Sequence, residues 1–220
     1  MSNPSGRRVI AYVDGFNLYF GLRDAGYARY LWLDIHALAR NLLRRGQMLI
    51  EAKYFTARIS GSSKATPANL RKHLDAKQRR QAAYLEALAS LPGLQIIEGH
   101  FLPKTMTCKR CHNTWDSPEE KMTDVQIATE LLTDAYQDRF DTALLISGDS
   151  DLVPPIRSIR RLFPHKRVVV CFPPRRHAKE LRQVAHAAVS VGRRTLAKSL
   201  LPPQVVLPDG TTLSCPPTWR

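Results

Sequence analysis

Short apolar runs rich in β-branched residues alternate with longer segments of helical period, and this alternation constrains the fold more than any other feature of the chain. "VIAYVD", "IEAKYFTARI", "LQIIEGHFL", "TALLISG" and "RVVVCF" read as strands. Helical period covers residues 34–45, 69–91, 123–137, 153–162 and 178–189. Strands alternating with helices in this way predict an α/β domain built on a central, mainly parallel sheet. "DIHALARNLLRRG" supplies one helix with a cap at Asp34 and a stop at Gly46. The 220 residues suffice for one such domain and a tail. Residues 103–120 break the alternation with an irregular insertion, and after Val191 the pattern gives way to a Pro-rich arm with a hairpin signal at Asp209-Gly210.

Two of the strands end in carboxylates. "VIAYVDGFN" closes on Asp14, followed by Asn17, and "TALLISGDSD" closes on Asp149 and Asp151. In open parallel sheets, ligands bind beyond the carboxyl ends of the strands, so neighbouring strands would bring these acids to one crevice. Asp124 joins them if the helix of "MTDVQIATELL" begins near Thr123. Each acid taken alone has a structural explanation as a cap or a turn residue. Together they would repel one another unless a cation compensates, and a hard divalent ion, Mg²⁺ or Mn²⁺, suits Asp14, Asp124, Asp149 and Asp151. Asn17 would orient a water or touch phosphate without adding charge.

Lys and Arg number 33 against 19 Asp and Glu, a net charge of +14, which favours a phosphate-bearing partner. The charge is also unevenly spread. From Leu152 to Pro208 the only acid is Glu180, while Arg157, Arg160, Arg175 and Arg176 fall in that stretch as candidate nucleic-acid-binding cations. The N-terminal sequence lacks a signal-peptide core, and no apolar run approaches the length of a membrane span, so the expectation is a cytoplasmic protein without a membrane partner. Cys108 and Cys111, in "CKRCHNTW", have the spacing of half a zinc site. His112, His100, Cys215 or a second chain of a homodimer would complete a structural Zn²⁺ site. Two unligated thiols or a redox pair are the alternatives.

The motifs "VIAYVDGFNLYFGL", "EEKMTDVQIATELLTDAY", "DTALLISGDSDLVPPIRSIR" and "KRVVVCF" resemble, in order and spacing, the NYN domain family, in the LabA-like branch of the PIN-like nuclease superfamily. The resemblance implies a PIN-like (Rossmann-like) three-layer sandwich over residues 1–192, with residues 193–220 as a C-terminal arm. It also implies metal-dependent hydrolysis of RNA phosphodiesters, endonucleolytic and leaving 5′-phosphates. On this match Asp14, Asn17, Asp124, Asp149 and Asp151 are the site residues, Lys121 is a lysine often seen before the helix acid, and Ser147 lies in the last motif. The chain departs from the family in reading "KMTD" where relatives often have a glycine between the lysine and the helix acid, and in carrying Leu152 where Phe is common. An RNA-binding module that has lost turnover would keep the same motifs. "GDSD" also resembles the late acidic motif of haloacid dehalogenase phosphatases, but that chemistry needs an Asp at position 16, which is Phe16.

Overall fold

Seven strands form the central sheet in the order β6-β3-β2-β1-β7-β8-β9, and all neighbouring pairs are parallel except β3 and β6. The computed structural model describes residues 6–59, 68–102, 104–116 and 119–220. In chain order the elements are β1 (Arg7–Asp14), α1 (Gly15–Asp24), α2 (Ile35–Asn41), β2 (Gln47–Ala57), α3 (Ala68–Ala89) and β3 (Leu94–Leu102). There follow β4 (Thr105–Thr107), β5 (Thr114–Asp116), β6 (Glu119–Lys121), α4 (Thr123–Tyr136), β7 (Thr142–Ile146), α5 (Val153–Leu162) and β8 (Arg167–Phe172). The chain ends with α6 (Lys179–Val184), β9 (Ala187–Ser190), α7 (Arg193–Ala197), β10 (Gln204–Val206) and β11 (Thr212–Ser214).

From β1 the chain steps outward to β2 and β3, then returns to place β7 on the other side of β1. The strand order therefore reverses between β1 and β7, where such sheets open a crevice at their carboxyl edge. Val13 pairs with Ile146 at that edge, so the residues that follow both strands emerge side by side.

Alternation along the buried strands divides the core into two layers. Val9, Ala11 and Val13 face Leu18, Leu22, Leu38, Leu85 and Leu88 from α1, α2 and α3. Ile10 and Tyr12 face Ile127 and Leu131 of α4, Ile156 and Ile159 of α5, and Leu181 of α6. The result is the expected α/β architecture of helices on both faces of a mainly parallel sheet. A buried ion pair holds α4 in place: Lys53 Nζ lies 2.6 Å from both Glu130 and Asp134, and the Tyr12 hydroxyl donates to Asp134 at 2.6 Å.

Several elements depart from the sequence expectations. The helix directly after Asp14, α1, adds to those expected. The helix capped by Asp34 ends at Asn41 rather than 45, and Gly46 at φ +81° serves a separate turn into β2. Residues 178–189 are not one helix. Ala185 turns extended, and 187–190 pair with the open edge of β8, so a tertiary pairing overrides the helical preference of an alanine-rich segment.

The insertion contains the β4–β5 hairpin and then β6, which joins the sheet edge antiparallel to β3. Its residues Pro103, Ser117 and Pro118 lie outside those described. The C-terminal residues form the expected hairpin at Asp209-Gly210 and also pack against the body of the fold. Trp219 lies 6.3 Å from the Trp32 ring and 5.9 Å from that of Tyr84, and the Trp32 indole N–H donates to the Pro202 carbonyl. Among the described residues, no helix is long and apolar enough to cross a membrane.

Candidate functional site at the switch point

Asp14 ends β1 and caps α1, accepting a hydrogen bond from the Asn17 backbone N–H at 2.9 Å. Its other carboxylate oxygen accepts from the Ser147 hydroxyl at 2.9 Å, and Ser147 Oγ in turn accepts from the Asp149 N–H. Asn17 Oδ1 accepts from the Gly148 N–H at 2.9 Å, which leaves its amide Nδ2 with no hydrogen bond among the described residues. Asp149 caps the turn after β7 by accepting from the Asp151 N–H. The cap roles and the shared crevice are therefore both real. One chain of hydrogen bonds ties the loop after β1 to the loop after β7, and it orients both acids.

A cleft of about 120 Å³ opens here, lined by Asp14, Phe16, Asn17, Phe20, Glu120, Thr123, Asp124, Asp149 and Arg176. Asp124 reaches it from the first turn of α4. Burial raises Asp14 from 3.8 to about 7, against the lowering effect of its bonds to Asn17 and Ser147, and Asp124 and Asp149 add repulsion. Burial is also the main cause for Asp124, which rises to about 6 with help from Asp149, Glu120 and Asp151.

Five other predicted residues, Asp151, Lys121, Arg157, Arg160 and Arg175, do not line this cleft. Asp151 is exposed and acts on Asp124 at longer range. Lys121 sits one position along β6 from Glu120, and strand alternation sends the two to opposite sides. Arg157 is exposed on α5, and Arg160 donates to the Val184 carbonyl at 2.7 Å. Of the adjacent pair Arg175 and Arg176, only Arg176 faces the acids. Arg175 adopts φ +59°, which turns the chain there.

Two glycines let this turn come close. A Cβ on Gly21 would lie 2.6 Å from the Pro174 carbonyl oxygen, and one on Gly148 would lie 2.9 Å from the Arg176 carbonyl carbon. Arg176 pairs with Asp24, while its Nε is buried without a hydrogen-bond partner among the described residues.

The residues that sequence reasoning missed are Glu120, Phe16 and Phe20. Glu120 accepts from the backbone N–H and the hydroxyl of Thr123, so it caps α4 and lines the cleft at once. Its place three residues before Thr123 was visible, but its direction depends on how β6 pairs. Met122, between them, has φ +81°, the left-handed conformation that glycine adopts without strain.

The donor set suits a hard divalent ion. Asp14, Asp124 and Asp149 offer carboxylate oxygens, the donors that such an ion prefers, and their mutual repulsion raises Asp14 and Asp124. Among the described residues, no group of three or more His, Cys, Asp or Glu side chains converges tightly enough to hold a metal unaided. The carboxylates therefore fit an ion that keeps waters or takes phosphate oxygens, as Mg²⁺ does. Cys108 and Cys111 stand together at the tip of the β4–β5 hairpin without a third ligand among the described residues. Backbone N–H groups of Cys111 and Arg110 lower the Cys108 thiol below its usual range. Cys215 is buried in the core cluster that holds Trp32 and Trp219, away from any role at that tip.

A model of the NYN domain matches residues 8–192. The chain is 29% identical over 191 residues to the 6-hydroxy-3-succinoylpyridine 3-monooxygenase HspA of Pseudomonas putida (strain DSM 28022 / S16), a match that covers 72% of this chain and 57% of that protein. It therefore spans little more than half the length of that curated relative. The crystal structure of a protein of unknown function from Vibrio parahaemolyticus superimposes with a TM-score of 0.55 at 20% identity, covering 91% of this chain and all of that one.

Proposed function

The chain belongs to the NYN domain family, a group of PIN-like nucleases, and from that premise we propose that it hydrolyses RNA phosphodiester bonds at the cleft between β1 and β7. The observation that carries this reading is the convergence of Asp14, Asp124 and Asp149 with Arg176 at the switch point of the sheet. Mg²⁺ or Mn²⁺, held by these three carboxylates, would supply an activated water and charge stabilisation at the phosphate.

The protein's own groups do the rest. Ser147 and the backbone of α1 fix the Asp14 carboxylate, so its orientation is set before substrate arrives. The amide of Asn17, whose Oδ1 is held by the Gly148 N–H, would donate to a phosphate oxygen or a water. Arg176 lines the cleft while paired with Asp24, and its guanidinium would bring positive charge to a bound phosphate. Held by the close approach at Gly21 and Gly148, it would neutralise charge that develops on the scissile phosphate. Asp151, Lys121, Arg157, Arg160 and Arg175 would act from outside the cleft, through the field along the substrate path.

HspA is named as an oxygenase, an activity on a ring substrate. The acids of the cleft between β1 and β7 suit a cation and a phosphate better than a ring-bearing ligand. The test uses a labelled single-stranded RNA with Mn²⁺ or Mg²⁺. Cleavage should yield 5′-phosphate ends, stop in chelator and disappear in Asp149→Asn. Full activity in that variant refutes the assignment, and RNA binding without any cleavage identifies a binding module instead.

A further inference from the structure

The acidic cleft has an aromatic wall that hydrolysis of a phosphodiester does not require. Phe16 and Phe20 lie one turn apart on α1, on a different side from Leu18 and Leu22, which enter the core. Both are only half-buried, and both line the cleft that holds Asp14, Asp124 and Asp149. Their ring planes lie within 25° of each other, with centroids 6.4 Å apart. Phe101 of β3 meets Phe16 edge-on at 5.7 Å, and Tyr19 meets Phe20 edge-on at 5.3 Å. These contacts at the ring edges fix the planes. Half-exposed rings beside a row of carboxylates keep apolar area in water, which is unfavourable unless an apolar face covers them.

Positive charge accompanies the wall. The Arg23 guanidinium lies 4.8 Å from the Phe20 centroid. Burial lowers Lys77 of α3 from its usual value, and repulsion from Arg23 and Arg80 adds to this. Arg176, which also lines the cleft, shares the Asp24 carboxylate with Arg23. A ligand with flat apolar faces joined by anionic links matches this order of acid cluster, rings and cations.

Resting on the nuclease reading above, we propose that Phe16 and Phe20 form a base-stacking platform. A nucleobase next to the scissile phosphate lies against these rings, and the following phosphate runs toward Arg23. The site thereby selects single-stranded RNA. In an A-form duplex each base is paired and stacked within the helix, and only a base that has left the stack presents its face to a protein ring. Stacking of this kind accepts every base, so sequence preference is weak.

The experiment uses the full chain and three labelled RNAs of one sequence: an intact single strand, the same strand with one abasic ribose, and a blunt duplex. Binding is measured by anisotropy in chelator, where no cleavage occurs, and cleavage is mapped with Mn²⁺. The wild type should bind the single strand more tightly than the duplex and should not cut beside the abasic position. Phe20→Leu, which keeps apolar volume, should weaken single-strand binding roughly tenfold, while Phe20→Trp retains it. The preference of the wild type for an intact base over the abasic site should collapse in Phe20→Leu. Equal affinity of the wild type for duplex and single strand overturns the proposal. So does a Phe20→Leu variant that binds as the wild type does, or that loses the same factor on all three RNAs. The abasic strand tests the platform on unmodified protein, so a misfolded variant does not block the result. A stacking signature without cleavage refutes the nuclease reading and keeps the platform. Cleavage indifferent to the missing base does the reverse.

Discussion

Replacing Asp124 by Asn should stabilise the metal-free protein at neutral pH and leave it unchanged in acid. Burial and the neighbouring Asp149, Glu120 and Asp151 raise Asp124 from 3.8 to about 6. Between those values the folded state holds its proton more tightly than the unfolded state, so wild-type stability falls as pH rises through about 4 to 6. The loss is complete above about pH 6. An asparagine side chain has no proton to release in this range, and the variant escapes the loss. The interval from 3.8 to about 6, at 1.36 kcal/mol per pH unit, caps the gain at about 3 kcal/mol. Asp124 is only half-buried, so solvent screening reduces this to about 1–2 kcal/mol. For a chain of this size that corresponds to roughly 2–8 °C in melting temperature. Melting curves in chelator at pH 4 and pH 8 test it. Adding Mg²⁺ at pH 8 should then raise the wild type more than the variant, because ligand binding to the folded state adds stability. A variant gain that is the same at both pH values, or a wild type that is the more stable at pH 8 without metal, refutes the electrostatic reasoning.

Gly148→Ala should lower stability by about 1–3 kcal/mol and weaken RNA binding together, since the new Cβ meets the Arg176 backbone at 2.9 Å and must push that turn away. Thermal denaturation and a binding titration read both effects, and normal RNA affinity in a destabilised variant would show that Arg176 is not held by this contact. Met122→Gly should stabilise by about 0.5–1 kcal/mol, because relief of the left-handed backbone outweighs the added freedom of the unfolded chain. Denaturant unfolding that shows no gain counts against strain at that position. Purified protein should carry about one zinc per two chains if the Cys108–Cys111 half-sites pair across a dimer, or about one per chain if each finds its own further ligands. Elemental analysis showing none removes a structural zinc.

Local order along the chain was enough to reveal the features that depend on near neighbours. The strand-then-carboxylate pattern of Asp14 and Asp149 is legible because each acid caps the segment that follows it, with partners at Asn17 and Asp151. The bounds of α5, 153–162, follow from prolines at its start and an amphipathic period, and these act within a turn or two. Asp124 is readable for the same reason, as an acid in the first turn of a strongly periodic helix.

Tertiary structure alone decided what faces the cleft. Glu120 rather than Lys121 points inward because β6 pairs with β3 in one register, and a shift of one residue would exchange them. Arg176 rather than Arg175 reaches the acids because the turn at φ +59° packs against Gly21 and Gly148, residues 155 and 28 positions away in sequence from Arg176. Residues 187–190 become a strand because the edge of β8 is open to them. Phe16 and Phe20 look like ordinary apolar residues until α1 turns its Leu18 and Leu22 face into the core and leaves their side to the cleft. Caps and periods are set by hydrogen bonds and packing within a few residues, so the sequence carries them. The direction of a side chain at a shared edge depends on the pairing of segments more than a hundred residues apart, such as β1 with β7, and exists only once the sheet has closed.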